Sequence, residues 1–384
     1  MGVGALLATG ATPAQAGPAA ATGPTGQVIA FTGYAGPAGE RGLMTLDTAT
    51  DEQRTVATGF THDAAWSPDG SQLTWIGVDA GTDDLGRVRA AAADGSGVHE
   101  VVGEGDSRYL AWTPDGTLAS LHRSSWWPTD CSAPDRLTRH DVLLRSADGT
   151  TRRLASAAPT ARDLQASPDG TTLLWFESGP DVCATGVATL VLADVATGAV
   201  RTVAGLPARA GGADVTPDGR TVVLHTDEGT ASDLVLVDVA TATARRLSTP
   251  TAAEQWPAVS PDGTSIAVDR YADGRRTLAL LALDGTLRRE LGPAPDVVDG
   301  LTWSPDGSGL VVAGASTAED CTPAEPCDHP VTEPALWWQP VDGGASTVLT
   351  RDSDAVEPEV AFAPWFPPAP VLGRHARGVR PPAS

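Results

Sequence analysis

Residues 64–77, AAWSPDGSQLTWIG, read as strand, tight turn, strand. The centre, Ser67-Pro68-Asp69-Gly70, is turn chemistry: Ser can bond the backbone ahead, Pro pre-sets φ, Asp tolerates the third place and Gly takes positive φ. The flanks are short runs rich in β-branched and aromatic residues, as half-buried strands require. The same [ST]-P-D-G string recurs at Thr113 to Gly116, Ser167 to Gly170, Thr216 to Gly219, Ser260 to Gly263 and Ser304 to Gly307, its prolines 46, 54, 49, 44 and 44 residues apart. One tetrapeptide is a weak signal, whereas six in register specify a repeat architecture.

A second series interleaves with these turns. Seven segments, among them LMTLDTATDEQRTVA, VLLRSADGTTRRLA and LALLALDGTLRREL, read strand, Asp-containing turn, strand, and four carry the Asp-Gly pair of a two-residue hairpin. Seven outer hairpins against six inner turns leave the first repeat, which begins at Gln27, without an inner strand. Residues 357–364 supply the match: Phe362-Ala363-Pro364 aligns with Trp66-Ser67-Pro68. The expected fold is all-β, a seven-bladed β-propeller of four-stranded antiparallel blades, closed by a C-terminal strand that completes blade 1 and protects its edge. The expected boundaries are 1–16 signal segment, 17–26 linker, 27–366 propeller and 367–384 a disordered Pro/Arg tail.

These repeats resemble the WD-like repeats of the TolB propeller family, whose motif is an aromatic-[ST]-P-D-G turn followed by an aliphatic strand. The resemblance spans about 27–366 and implies the fold, not the function. TolB proteins carry an α/β domain ahead of the propeller, whereas only about ten residues are expected between the cleavage point and the first strand here, so the Tol role is not expected to carry over. Related propellers gate peptidases through a hydrolase domain, and no G-x-S-x-G elbow is found.

Composition narrows the partners. The 384 residues carry a formal net charge of −22 and no lysine, so every cation besides histidine is arginine. An acidic surface repels phosphate backbones, and no nucleic-acid partner is expected. Val3 to Ala8 is apolar, and Ala14-Gln15-Ala16 offers small residues for cleavage before Gly17, although no basic segment precedes them. The expected location is therefore secreted or cell-envelope. No later run approaches the roughly 18 apolar residues of a membrane span. A monomer is expected.

The four cysteines are expected to pair as Cys321–Cys327 and Cys131–Cys183 in an oxidising compartment. Cys321, Cys327 and His329 fit no standard zinc spacing, and the acidic loops lack the ligand spacing of a calcium loop, so neither metal nor cofactor is expected.

Propeller topology puts the loops between second and third strands on one face with the blade connections, and there the long loops fall. Long loops on a rigid scaffold gather binding residues. Aligned second strands place Gly33, Gly77, His122, Glu177, Thr226, Arg270 and Gly314 in one row, giving His122, Glu177 and Arg270 as a polar rim, with His225, Asp227 and Asp269 beside them. Trp126 and Trp127, in the longest loop, are candidate anchors. No residues group as a catalytic set. The expected role is a scaffold binding a protein, peptide or glycan through this face; the alternative is a glycoside hydrolase or polysaccharide lyase with its site at the channel mouth.

Overall fold

In the computed structural model, the described residues are 5–9, 27–35, 40–78, 86–102, 106–123, 140–178, 188–203, 206, 210–228, 231–247, 252–317 and 332–351. They form seven four-stranded antiparallel sheets and no helix. Blade 1 is β1 (Ala5–Thr9), β2 (Gln27–Ala35), β3 (Glu40–Asp47) and β4 (Glu52–Thr58); blade 2 is β5 (Phe60–Trp66), β6 (Gln72–Val78), β7 (Gly86–Ala92) and β8 (His99–Val102). Blade 3 is β9 (Asp106–Trp112), β10 (Leu118–Arg123), β11 (His140–Arg145) and β12 (Thr151–Ala157). Blade 4 is β13 (Arg162–Ala166), β14 (Thr172–Glu177), β15 (Thr189–Asp194) and β16 (Val200–Val203). Blade 5 is β17 (Ala210–Val215), β18 (Thr221–Glu228), β19 (Ala231–Asp238) and β20 (Thr243–Arg246). Blade 6 is β21 (Ala253–Val259), β22 (Ser265–Ala272), β23 (Arg275–Ala282) and β24 (Leu287–Pro293). Blade 7 is β25 (Val297–Trp303), β26 (Gly309–Thr317), β27 (Thr332–Pro340) and β28 (Thr347–Arg351).

Strand order follows chain order in every sheet, so each blade is a meander and the architecture is the expected seven-bladed propeller. The core lies between blades. Ala30 and Leu43 of blade 1 pack with Trp66, Leu73 and Trp75 of blade 2, while Ile29, Phe31 and Met44 pack with Val311, Leu336 and Trp338 of blade 7, which closes the ring. Trp66 and Trp303 are buried at one repeat position, as expected of interblade residues, and Trp303 Nε1 donates to Ala258 O of blade 6 at 2.9 Å. Trp112, at the same position, is half-buried and donates to Thr74 Oγ1 of blade 2 at 3.0 Å.

The inner turns hold themselves. Ser67 Oγ donates to Asp69 Oδ1 at 2.6 Å and accepts from Gln72 N at 3.0 Å, while Ser71 N donates to the same Asp69 oxygen at 3.0 Å. Asp at the third place is therefore an active cap rather than a tolerated residue, and Gly70 takes the required positive φ of 67°. The outer hairpins differ from expectation. Gly95 N donates to Ala92 O at 2.8 Å and Ala92 N to Ser96 O at 2.9 Å, which closes a three-residue loop. Only Gly95, not Asp94, has positive φ, whereas a two-residue loop of this kind needs it at both.

The inner position of blade 1 is a correction. β1 holds it, pairing with β2 from Ala5↔Phe31 to Thr9↔Gln27, whereas residues 357–364, expected there, lie outside the described residues. The propeller thus begins ahead of Gln27, inside the segment read as 1–16. Any extended apolar run of the right direction can satisfy the bare N–H and C=O groups of a sheet edge, and Ala5–Thr9 is one. The apolarity that reads as an export segment also suits an inner strand.

Candidate functional site

Each inner turn and outer hairpin lies at one end of the blade, which leaves the second-to-third-strand loops and the blade connections at the other. At this long-loop end the structure builds two polar groups.

The first is on blade 3. Register pairs Arg123 with Asp106 on one side and His140 on the other, so three strands present these side chains in one row. Asp106 is buried. Its Oδ1 accepts from Gly86 N of blade 2 at 2.9 Å and from Arg108 Nε at 3.1 Å, and Arg123 Nε lies 2.5 Å from its Oδ2. Two guanidinium groups on one carboxylate leave the group net positive. Burial pushes the His140 imidazole down to about 4, with Arg108, Arg123 and His122 acting in the same direction and Asp106 opposing. His122, half-buried, pairs in register with Ser107 and Asp141. The Nδ1 atoms of His122 and His140 have no hydrogen-bond partner among the described residues.

The second group spans blades 5 and 6. His225 is buried, its ring edge-on to Trp256 with centroids 5.3 Å apart, and Trp256 N approaches His225 Nδ1 at 3.4 Å. Trp256 adopts a positive φ of 52° at a register break in β21, which sets its ring across the seam. Gln255 Nε2 donates to Ser232 Oγ across the same seam at 2.6 Å. Asp269 is buried and held by two arms of Arg276, Nε to Oδ1 at 2.9 Å and Nη2 to Oδ2 at 2.6 Å. Such forked contacts are among the stronger ion pairs. Arg270 Nε lies 3.6 Å from Glu254 Oε1, and its Nη1 donates to Glu290 Oε1 at 3.3 Å. Arg246 pairs with the buried Asp233.

The expected rim residues thus separate. His225 packs on Trp256 across the seam of blades 5 and 6, while on β22 Asp269 is held by Arg276 and Arg270 by Glu254. His122 belongs to the blade 3 group instead. Glu177 works structurally: its Oε1 accepts from Ala158 N at 2.9 Å and Trp175 Nε1 at 2.8 Å, tying the blade connection to β14. The Asp227 backbone pairs with Ser232, and its side chain lies outside the described residues. Trp126, Trp127 and all four cysteines lie outside them as well. Asp106, His140, Glu254 and Arg276 escaped the sequence reading because only second strands were aligned, and Arg123, on β10, lies one residue past the aligned row. The first residue of β9 and of β11 carries the missing signal.

Exposed aromatics complete the face. Phe60, 51% exposed, begins β5 under the Arg41 guanidinium at 4.9 Å, and Tyr271, 55% exposed, lies one residue before the end of β22 and pairs in register with Arg276. The exposed apolar residues at the opposite end, Val98, Val200 and Leu287, are aliphatic and recur just after outer hairpins. Among the described residues no three His, Cys, Asp or Glu side chains group as a metal site.

The geometry defines a seven-bladed propeller with two polar groups at its long-loop end, and comparison with solved structures agrees on the fold. The β-propeller domain of the Trilobed protease from Pyrococcus furiosus superposes with a TM-score of 0.59 at 10% identity, over 86% of this chain and 97% of that one. An oligogalacturonate lyase in complex with manganese gives 0.58 at 15% identity, over 86% of each chain. TolB from Acinetobacter baumannii gives 0.47 at 17% identity, over 83% of this chain and 75% of that one. No protein-family profile and no curated protein matches the sequence.

Proposed function

We propose that the protein is an extracytoplasmic scaffold that binds a protein, peptide or glycan through its long-loop face. The observation that carries this reading is the second polar group. Exposed Tyr271 pairs in register with Arg276, which holds the buried Asp269, and the preceding residue Arg270 pairs with Glu254 and Glu290, so the aromatic stands among charges of both signs at this end of β22. Interfaces favour that combination. Asp233 and Asp269, by contrast, are engaged by arginines, which suits recognition better than proton transfer. The absence of a membrane-length apolar helix among the described residues is compatible with export of the whole propeller.

One observation favours the enzyme alternative: His140 stands in one row with Arg123 and Asp106 on blade 3, and imidazole beside guanidinium is a set that acid–base chemistry on an anionic glycan would use. Turnover of an acidic polysaccharide that disappears in His140→Gln would favour it.

The test of the binding reading is capture of partners by the tagged full chain from its native envelope, read by mass spectrometry. The double variant Phe60→Ser, Tyr271→Ser should lose the partner that the wild type retains. The pair Val98→Ser, Leu287→Ser, on the opposite face, should keep it. The reverse pattern would overturn the assignment of the face.

A further inference from the structure

Repetition makes blade 3 stand out. The row that begins seven residues before the turn Ser reads Phe60, Val78, Gly86 across the first three strands of blade 2, and Val297, Ala315, Pro334 across those of blade 7. In blade 6 the row holds one charge, Arg276. In blade 3 it reads Asp106, Arg123, His140, three ionisable side chains on one face of the sheet. The propeller fold therefore needs no charge at this place, and a buried charge is costly unless it is paired. The scaffold gains nothing from the row, whereas a ligand would.

Pairing within the row is incomplete. Asp106 is fixed from three sides: Gly86 N and Arg108 Nε both donate to its Oδ1, and Arg123 stands against its Oδ2. Blade 2 comes this close because Gly86 has no side chain; a Cβ there would lie 2.3 Å from Ser107 O. The Arg123 contact is one of charge alone, since Oδ2 has no hydrogen-bond partner among the described residues. Arg276, by comparison, spends Nε and Nη2 on Asp269 and Nη1 on Asp296 O. His140 is 5% exposed, and its Nδ1 has no partner either. An imidazole nitrogen left in this way carries a desolvation cost that a polar ligand group would return. The Arg108 and Arg123 side chains are 28% and 13% exposed, so the group reaches solvent on its guanidinium side.

Charge and shape select the ligand. Two guanidinium groups on one carboxylate leave one positive charge, and His140 adds none at neutral pH, because burial, Arg108, Arg123 and His122 all oppose its protonation. A monoanion balances that charge, whereas a phosphate dianion would leave surplus negative charge beside Asp106. A planar carboxylate also matches the guanidinium fork. The neutral imidazole bonds an uncharged polar group, such as a hydroxyl next to the carboxylate. We propose that the seam of blades 2 and 3 is a subsite for a hydroxy acid, its carboxylate on Arg123 and Arg108 and its hydroxyl on His140 Nδ1, a chemistry that a glycan presents as a sugar acid. The inference rests on the reading of the long-loop end as the recognition face.

The experiment titrates glucuronate into the full chain, with glucose, inorganic phosphate and tri-alanine as comparisons. Glucuronate should bind roughly 10-fold or more tighter than glucose, which lacks the charge, and than phosphate, which carries too much of it. Tri-alanine offers a carboxylate without the hydroxyl, and binding as tight as that of glucuronate would overturn the hydroxy acid. Arg123→Gln should weaken glucuronate by roughly 10-fold or more, and Arg123→Lys, which keeps the charge but loses the fork, by less. Thermal unfolding of each variant separates a lost site from a lost fold. A second readout needs no variant: bound glucuronate should raise the His140 pKa from about 4, followed by NMR in the wild type, because its carboxylate offsets Arg108 and Arg123. An unmoved His140, or glucose bound as tightly as glucuronate, would remove the subsite. Partner capture that depends on Phe60 and Tyr271 does not pass through this row, so the subsite can fail while the recognition face stands.

Discussion

At the tight-turn end Asp262 accepts hydrogen bonds from Ser260 and Thr264 of its own turn, whereas at the long-loop end Asp269 is held by Arg276 of the next strand and Asp106 by Gly86 of the preceding blade. The carboxylates of the first kind are kept ionised chiefly by their own turns. At Asp69, Asp115, Asp218 and Asp262 the hydrogen bond from the turn hydroxyl is the largest cause and holds each acid below its usual range. At Asp169 and Asp306 burial pushes upward, but the serine and backbone hydrogen bonds outweigh it. Charges of the second kind depend on arginines and on the ring being assembled. One end is therefore a repeated local solution and the other a set of individual tertiary ones, and only individual solutions supply the chemical variety that recognition needs.

The largest expected effect separates the two ends by pH. His140 is neutral in the fold, its pKa down at about 4 against an ordinary 6.5, so the unfolded chain binds the extra proton between these values. The stability this contributes is complete above about 6.5 and is lost as pH falls towards 4, an integrated loss on the order of 3 kcal/mol. The groups facing the ring are Asp106, Arg108, Arg123 and His122, and three of the four resist its protonation. The turn aspartates titrate lower. Their folded pKa values are depressed, so their contribution persists above about 3.9 and is lost only below it. Denaturant midpoints across pH 3 to 7 should thus fall in two stages, and His140→Gln should abolish the upper stage only. A wild-type midpoint flat from pH 7 to 4 would remove His140 from the account.

The same division explains what could be read in the sequence. Six Ser/Thr-Pro-Asp-Gly turns were legible because each one's bonds lie within six residues, so the string itself states the geometry. The pairing of strands within blades followed. The site was less legible: Arg270 was found, but Glu254 and Glu290 reach it from β21 and β24. Glu177 looked like a rim residue, yet it is spent on Ala158 N and Trp175 Nε1, contacts that no spacing announces. The inner strand of blade 1 was misplaced for a different reason. Two segments satisfy the same apolar pattern, and the pattern alone does not choose between them.

A smaller effect tests whether the turns are as self-contained as their geometry implies. Ser260 Oγ donates to Asp262 Oδ1 at 2.6 Å and accepts from Ser265 N at 2.9 Å. Ser260→Ala should cost about 1 kcal/mol, measured by denaturant unfolding. It should also let the Asp262 pKa, followed by NMR, rise towards its ordinary value, because the hydroxyl is the largest cause of its depression. The aspartates of neighbouring turns should not move. A shift at Asp218 or Asp306 of similar size would mean that the turns act as one coupled ring.

The smallest effect on stability is the one that bears most on recognition. Tyr271 is 55% exposed and Leu287, on the opposite face, 42% exposed. Neither loses much packing when replaced, so Tyr271→Ser and Leu287→Ser should each change stability by no more than about 0.5 kcal/mol. An aromatic ring in water at the end of a strand, next to a paired arginine, contributes little to folding, whereas an aliphatic residue at the outer hairpin follows a position that recurs in Val98 and Val200. If the long-loop end is the recognition face, the two variants unfold alike and differ only in what they bind. A loss of 1 kcal/mol or more in Tyr271→Ser would show that the ring is packed within the fold. The anchor would then have to be sought at Phe60, where the Arg41 guanidinium already covers one side of the ring and leaves the other to a partner.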